Sequence, residues 1–242
     1  MGGTKTKRDH KTITMTITDQ ILEVASEFER LGCEFAFLGG AVLQVLLTDR
    51  AAAPVRVTKD VDVLVNTPTR SSYTKLEEML RRSGFKNDTS EGAPLCRYVF
   101  KGIVVDVMPT THDVLGWDSK WFGEALSTAQ VQLLEGRSIK ILAAPYYIAT
   151  KIEAFEGRGK RDFLCSHDLE DIICLMNGRE EVVDEVQGSP QGLRLYLAEK
   201  FQAWVQHGDF LNAVEGFLVT ENEPSARRDI ILQRFKNITD MT

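Results

Sequence analysis

The sequence has few cysteines, no long apolar run and no excess of positive charge. Its cysteines are widely separated and form no CxxC pair, at Cys33, Cys96, Cys165 and Cys174. This spacing argues against a zinc knuckle, a redox pair or a disulfide scaffold and favours reduced, buried thiols. No apolar run approaches the ~18 residues of a membrane span, and no apolar segment follows the basic N-terminus to make a secretory signal. We therefore expect a soluble, cytoplasmic protein with no membrane contact.

The charge balance excludes a strongly basic protein. The net charge is −6, from 35 acidic and 29 basic residues, so the chain lacks the overall basicity of a dedicated nucleic-acid-binding protein. Basic residues nevertheless cluster twice, between Lys5 and Lys11 and again between Arg158 and Arg161. We interpret the first cluster as a solvated tail. The second leaves a local contact with phosphates or RNA open.

Strand and helix patterns alternate in the first part of the chain. Ile13, Met15 and Ile17 alternate with threonines and predict a strand. Asp19 is then a candidate cap for a helix whose apolar face runs from residue 21 to 31. Further strands and helices are predicted at Phe35–Leu38, Ala41–Thr48, Val61–Val65 and Tyr73–Arg82. Two hairpins are predicted around the turn pairs Lys101-Gly102 and Glu135-Gly136.

Helical patterns dominate from Pro145 onward. They cover Tyr146–Glu156, His167–Met176, Leu193–His207, Asp209–Leu218 and Ser225–Phe235. The predicted fold class is therefore α/β (α+β), with an α/β domain over residues 1–142 and a helical domain over residues 143–242. Nothing linker-like separates the two parts, which allows them to share one core.

Carboxylates interrupt two of the apolar strands. Asp60 and Asp62 bracket Val61 in TKDVDVLV, and Asp106 interrupts IVVDVMP. Residues i and i+2 of a strand point to the same face, so Asp60 and Asp62 repel each other unless a cation compensates. A third carboxylate from a neighbouring strand would complete an oxygen-rich site suited to Mg²⁺. Taken singly, each carboxylate is also explained as a surface or ion-paired residue.

A diglycine separates the strand ending at Leu38 from the helix that follows. Because they lack side chains, Gly39 and Gly40 let backbone N–H groups approach an anion closely, and a helix N-terminus adds a partial positive charge. A tight turn explains this unit equally well when it stands alone. Followed by the DxD pattern and a lone aspartate on a later strand, it becomes more specific.

The order of these motifs resembles that of the nucleotidyltransferase superfamily, whose pattern is hG[GS], then [DE]h[DE]h, then h[DE]h. Here the motifs read Leu38-Gly39-Gly40, Asp60-Val61-Asp62-Val63 and Val105-Asp106-Val107. The longer string FLGGAVLQVLL…TKDVDVLV…VVDVMP is similar to the minimal and abortive-infection (AbiEii-like) bacterial branch found in toxin–antitoxin systems. The resemblance spans about residues 35–175 and implies a nucleotidyltransferase-like mixed sheet flanked by helices.

The branch also carries a downstream lysine and a later acidic motif. Its K-x-x-A-x-x-x-R portion matches Lys151–Arg158, and its D-x-x-D portion resembles Asp168–Asp171. Extra residues before Asp168 leave open whether Asp162, Asp168 or Asp171 is the last acidic position, although Asp168 and Asp171 are better placed. The alternative for Lys151 is an exposed helix lysine paired with a neighbouring glutamate.

The resemblance implies a mechanism and a set of roles. Asp60, Asp62 and Asp106 would hold two Mg²⁺ ions, for which Mn²⁺ can substitute. The nucleotide would be bound by Gly39, Gly40, Lys151, Arg158, Asp168 and Asp171, with Lys151 also acting in catalysis. The predicted function is transfer of an NMP from an NTP to a tRNA end or a protein hydroxyl, by a toxin with a cognate antitoxin.

Three other functions remain as alternatives. The first is a catalytically silent protein that binds a nucleotide or a partner. The second is a structural interaction protein whose aspartates pair with arginines such as Arg56 and Arg97. The third is a phosphohydrolase that uses the same metals.

Overall fold

A mixed β-sheet and the helices packed around it make up the protein. The computed structural model describes residues 15–49, 51–52, 55–111, 114–115, 119–157, 159, 161–219, 221 and 223–241. In chain order the elements are α1 (Ile17–Arg30), β1 (Phe35–Leu38), α2 (Gly40–Leu46), β2 (Asp60–Val65), α3 (Arg70–Arg82), β3 (Lys86–Asn87), β4 (Arg97–Phe100), β5 (Ile103–Pro109), α4 (Phe122–Ser127), β6 (Gln130–Leu134), β7 (Arg137–Ile141), α5 (Ala144–Glu156), α6 (His167–Gly178), α7 (Val182–Gly188), α8 (Gln191–Val205), α9 (Gly208–Phe217) and α10 (Pro224–Thr239).

The sheet has the strand order β3-β4-β5-β2-β1-β7-β6. Strand β2 pairs parallel with β5 and antiparallel with β1, and β1 pairs parallel with β7. Both predicted hairpins are present, as β4–β5 and β6–β7. Their turn residues have positive φ, 51° and 85° at Lys101 and Gly102 and 49° and 80° at Glu135 and Gly136, as two-residue hairpin turns require. The predicted α/β class with a mixed sheet is confirmed.

Helices follow one another from α5 to the end of α10. Buried apolar residues of these helices, such as Phe155 and Phe235, belong to the same core cluster as Phe28 and Val63 of the N-terminal part. Helix α5 begins three residues after β7 ends, so the change from mixed to helical structure falls where the sequence predicts it. The division into two domains near residue 142 stays a prediction.

The strand predicted over Ile13–Ile17 is wrong where the structure describes it. Thr16 is the N-cap of α1, which begins at Ile17. The Thr16 hydroxyl accepts a hydrogen bond from the Asp19 backbone N–H, and the Asp19 carboxylate accepts one from the Thr16 N–H. This capping box starts a helix despite the alternating pattern, so Asp19 lies in the first turn and is not the cap. Ile13 and the basic cluster Lys5–Lys11 lie outside the described residues.

All four cysteines are free thiols, but they are not all buried. Burial raises the pKa of Cys96 and that of Cys174 to about 12, which makes both thiols unreactive at neutral pH. Cys165 is exposed, because it lies in the turn between α5 and α6, so the prediction of a buried thiol is wrong there. Within the described ranges, no helix has the length and apolar character needed to cross a bilayer.

Candidate functional site

The pairing of β2 with β5 brings the predicted carboxylates together. The two strands run parallel, and Asp62 lies opposite Asp106 in their register. Asp60 precedes Asp62 by two residues on the same face, while Val61 and Val63 point into the core. Asp60, Asp62 and Asp106, which we call the acidic cluster, therefore face one side of the sheet.

An open cavity of about 480 Å³ lies over the acidic cluster. Its lining residues come from α2, β2, β4, β5, α5, α6 and the loops before β2 and before α6: Gly40, Arg56, Thr58, Asp60, Asp62, Arg97, Asp106, Lys151, Gly159, Asp162, Cys165, Ser166, His167 and Asp168. The structure thus brings most of the predicted site residues to one cavity. Gly39 and Asp171 do not line it, but Gly39 precedes Gly40 and Asp171 contacts Lys151. Arg158 lies outside the described residues.

The first glycine of the pair makes room for Asp62. Gly39 has a φ of +71°, and a Cβ atom built on it would lie 1.8 Å from Oδ2 of Asp62. Any side chain here would therefore collide with a carboxylate of the acidic cluster. At Gly40 a Cβ would lie 3.3 Å from the Thr58 hydroxyl. Helix α2 ends at Leu46 and has only seven residues. The partial positive charge expected at its N-terminus therefore comes from a short helix.

Substitution of Gly39 by alanine should disturb the site as well as the backbone. Gly32 is a matched control, because its φ is +67° and a Cβ there meets nothing within 4 Å. We expect Gly32→Ala to cost about 1 kcal/mol from backbone strain alone. Gly39→Ala should cost about 1–3 kcal/mol more, because Asp62 must move. Urea denaturation of both variants measures the difference, and equal losses would contradict the close contact.

A guanidinium occupies the space between two carboxylates of the acidic cluster. Arg97 lies opposite Asp106 in the β4–β5 register. Its Nε and Nη2 atoms donate to the two oxygens of Asp106, each at 2.8 Å, and Nη2 also donates to Oδ2 of Asp60 at 3.1 Å. These hydrogen bonds to Asp106 raise the pKa of Arg97. From the sequence, Arg97 is predicted only as an ion-pair partner of the aspartates in a structural interaction protein.

The acidic cluster has the chemistry of a Mg²⁺ site but not its arrangement. Carboxylate oxygens are the ligands that Mg²⁺ prefers. In the part of the chain that the structure describes, however, no three or more His, Cys, Asp or Glu side chains surround a common metal position. Arg97 engages both oxygens of Asp106. As they stand, these residues fit an arginine and not a metal ion.

Lys151 is buried between two aspartates of the next helix. Its Nζ atom lies 3.1 Å from Oδ1 of Asp168 and 2.6 Å from Oδ2 of Asp171. Asp168 and Asp171 are three residues apart on α6, so both point from one face toward α5. The Lys151 side chain is only 9% exposed, which rules out the alternative of an exposed helix lysine.

Two opposing effects act on the charge of Lys151. Burial lowers the pKa of Lys151, but the charges of Asp171 and Asp168 outweigh it and the pKa is raised. Arg56 contacts the same Asp171 carboxylate as Lys151, with Nε and Nη2 at 3.2 and 3.3 Å from its two oxygens. Lys151 therefore stays charged at the cavity wall.

The three candidates for the last acidic position make different contacts. Asp168 and Asp171 both contact Lys151. Asp162 is exposed and its Oδ1 accepts hydrogen bonds from the backbone N–H groups of Leu164 and Cys165. Asp162 thus shapes the α5–α6 turn, and Asp168 and Asp171 are the residues that hold the lysine.

A second cavity of about 450 Å³ adjoins the first. Its lining is mostly apolar: Leu38, Gly39, Asp62, Pro94, Met108, Ser119, Phe122, Thr150, Lys151, Glu153, Ala154 and Gly157. Asp62 and Lys151 line both cavities. The site therefore has a charged compartment and an apolar one that meet at these two residues.

Comparisons with known proteins give similarity in structure only. No protein-family model matches the sequence, and no curated protein matches it significantly. An antigenic nucleotidyltransferase-like protein from Paracoccidioides brasiliensis is 16% identical, with a TM-score of 0.46 over 88% of this chain and 92% of that one. Identity this low transfers no residue's role to this chain.

Two structures of the antibiotic-resistance factor ANT(2″)-Ia are also similar to the chain. The complex with adenylyl-2″-tobramycin is 15% identical, with a TM-score of 0.44 over 69% of this chain and 93% of that one. The solution structure is 13% identical, with a TM-score of 0.46 over 78% and 95%. These three structures do not confirm the AbiEii-like branch.

Proposed function

We propose that the protein transfers a nucleotidyl group from an NTP to an acceptor hydroxyl. The observation that carries the proposal is the single cavity that joins Gly40, the acidic cluster and Lys151. These residues come from segments far apart in the sequence, and each belongs to a motif of the resemblance. The close approach of the Asp62 carboxylate requires a glycine at position 39. An ordinary surface ion-pair network has no such requirement.

The two compartments divide the substrate between them. The charged cavity carries Lys151 and Arg56 on its wall, which suits the triphosphate. Lys151 is fixed there by Asp168 and Asp171, so its ammonium group needs no reorganisation when phosphate arrives. The apolar cavity, with Phe122 and Met108 in its lining, would accept the nucleobase or the apolar part of the acceptor.

We assign Asp62 to the reacting centre, because it lines both cavities. In the proposed reaction the acceptor oxygen attacks the α-phosphorus, the bond to the pyrophosphate oxygen breaks, and the hydroxyl proton passes to the Asp62 carboxylate. A divalent cation, Mg²⁺ or Mn²⁺, stays part of the proposal and would neutralise charge on the phosphates when bound.

The proposal also includes an acceptor and a biological role. A tRNA end or a protein hydroxyl as acceptor, and a toxin role with a cognate antitoxin, are supported only by the resemblance of the motif string to the AbiEii-like branch. The acidic net charge of −6 favours a small contact area on any RNA, since phosphate neutralisation requires clustered Lys and Arg.

Transfer is tested with NTPs labelled at the α- or the γ-phosphate. Purified protein is incubated with each NTP, Mg²⁺ or Mn²⁺, and tRNA or a protein extract, and with neither acceptor to detect self-labelling. We expect label from the α-position in an acceptor and label from the γ-position only in pyrophosphate. Release of inorganic phosphate without transfer would indicate the phosphohydrolase alternative.

One observation favours a second candidate, a catalytically silent nucleotide-binding protein. Arg97 forms direct ion pairs with Asp106 and Asp60, so two carboxylates of the acidic cluster already have a cationic partner. Nucleotide binding that raises the melting temperature, with no transfer to any acceptor, would support this candidate over the enzyme.

A further inference from the structure

We propose that strand β6 is the contact surface for a second copy of this chain, which pairs with it in an antiparallel, two-fold arrangement. In the described part of the chain, β6 is the last strand of the sheet, after β7. One side of its backbone is therefore open to a further strand. This contact is independent of the proposed reaction, because the residues of β6 are not among those that line the two cavities.

The two edges of the sheet are built differently. At the opposite edge, β3 has only two residues, Lys86 and Asn87, and so short and charged a strand discourages pairing with another chain. Strand β6 has five residues, with the sequence QVQLL, and contains no charge, proline or glycine. An edge strand of this kind lacks the features that prevent pairing, so we expect another strand to cover it.

Two large apolar side chains of β6 lie in solvent. Val131 is 61% exposed and Leu133 is 71% exposed. They alternate with the three other residues of the strand, which are partly buried, so both point to the same face of the sheet. Their partners on β7 are Lys140 and Ser138. The free edge therefore carries an apolar pair whose neighbours within the sheet are polar.

The open backbone groups belong to the same two residues. The β6–β7 hairpin closes at the pair Leu134 and Arg137, on either side of its two-residue turn, and such a closing pair is hydrogen-bonded across the turn. Hydrogen-bonded and non-hydrogen-bonded pairs alternate along an antiparallel ladder. Counted back from Leu134, the N–H and C=O groups of Val131 and Leu133 point away from β7, to the free edge.

A second copy centred on Gln132 would satisfy these groups. A two-fold axis through Gln132, perpendicular to the sheet, places Val131 of each protomer opposite Leu133 of its partner. Each of these pairs would exchange both of its N–H···O hydrogen bonds, and the apolar side chains of both protomers would meet on one face. Because the axis is perpendicular to the sheet, the acidic clusters of the two protomers would face the same side.

Charge also favours a second copy in this register. Gln132 meets its own counterpart, and an amide side chain both donates and accepts hydrogen bonds. The first charge beyond the strand, Glu135, falls opposite Ala129, and Lys140 stays one strand away from the contact. Like charges directly opposite each other destabilise paired strands, and this register avoids them. A two-fold contact requires a surface complementary to itself, and β6 has one.

Sedimentation equilibrium of the full chain over a range of protein concentrations tests the contact. The proteins are the wild type, Val131→Lys, Val131→Pro and the control Val219→Lys. Val219 is 76% exposed and follows α9, so it belongs to no strand. We expect the wild type to approach twice the chain mass of 27.2 kDa and to stop there, because a two-fold contact is closed.

The two Val131 variants test the side chain and the backbone separately. Val131→Lys puts a charge into the apolar contact and should raise the dimer dissociation constant about tenfold or more. Val131→Pro removes the N–H that donates to the partner's Leu133 but no bond to β7, so the dimer should weaken while the hairpin is retained. Val219→Lys should dimerise as the wild type does. Urea denaturation shows whether each variant is folded.

Several results would overturn the inference. A wild type that stays monomeric at every concentration would do so, and so would an assembly that grows beyond a dimer. A dimer that both Val131 variants leave unchanged, or that Val219→Lys weakens equally, would show that the protomers meet elsewhere. Amide hydrogen exchange gives a direct signature: the Val131 and Leu133 N–H groups should exchange more slowly as the concentration rises. A dimer without this protection would also contradict the contact.

Discussion

Replacement of Lys151 by methionine is expected to lower the free energy of unfolding by about 3–5 kcal/mol, the usual cost of removing one partner of a buried ion pair. The reason is the pair of carboxylates that it leaves behind. The Asp171 side chain is 0% exposed and that of Asp168 is 8% exposed. Arg56 would remain on Asp171, but Asp168 would lose the ammonium group beside it. Urea denaturation at pH 7 measures the loss.

Lys200→Met is the matched control. Lys200 pairs with Glu156 at 2.7 Å, and both side chains are 24% exposed, so solvent screens this pair and its loss should cost about 1 kcal/mol or less. Adding Asp168→Asn to Lys151→Met should restore part of the stability, because it removes one of the two buried negative charges. Equal losses in the Lys151 and Lys200 variants would contradict a buried charge triad.

The stability lost in Lys151→Met should not change between pH 7 and pH 9. Because the pKa of Lys151 is raised, its stabilising contribution is fully present below its ordinary pKa of about 10.4. The contribution disappears only as the pH rises through the raised value. The difference in unfolding free energy between wild type and Lys151→Met should therefore be the same at pH 7 and pH 9. A difference that shrinks by pH 9 would show that the lysine titrates early.

Replacement of Asp62 by asparagine is expected to reduce nucleotidyl transfer by about 10³-fold or more, with little effect on folding. Asn occupies nearly the same volume, so the close contact beside Gly39 is preserved. What is lost is the negative charge at the junction of the two cavities. Asn cannot accept the acceptor's proton and is a poor ligand for a divalent cation.

Asp88→Asn is the control for this prediction. Asp88 is a partly exposed loop residue that accepts hydrogen bonds from the Ser90 backbone and hydroxyl. The Asp88→Asn variant should transfer nucleotide at the wild-type rate. The rates are compared at saturating NTP, and urea denaturation of each variant shows whether the fold is retained. Transfer by Asp62→Asn at the wild-type rate would show that Asp62 takes no part in the reaction.

The sequence predicts several strands of the sheet because local patterns determine them. Phe35–Leu38 is an apolar run that ends at the diglycine, and the pairs Lys101-Gly102 and Glu135-Gly136 are typical of hairpin turns. The structure agrees at each of these positions. Short elements such as α7 and the two-residue strand β3 escape prediction, because too few residues repeat for a period to appear.

Long-range pairings could not be predicted in the same way. Helical spacing shows that Asp168 and Asp171 share a face, but not that α5 lies across it and buries Lys151 there. The position of Arg97 depends on the register of β4 on β5 and on the parallel pairing of β2 with β5. No pattern within TKDVDVLV or IVVDVMP carries that information. Arg97 could be recognised as a candidate ion-pair partner, but not as the residue that bridges Asp60 and Asp106.

The most direct test of the central claim, that the two cavities form one site for a nucleotide, is a crystal structure with a non-hydrolysable NTP analogue. We predict that the phosphates lie along Gly40 and Lys151 in the charged cavity. A nucleotide bound elsewhere would contradict the account.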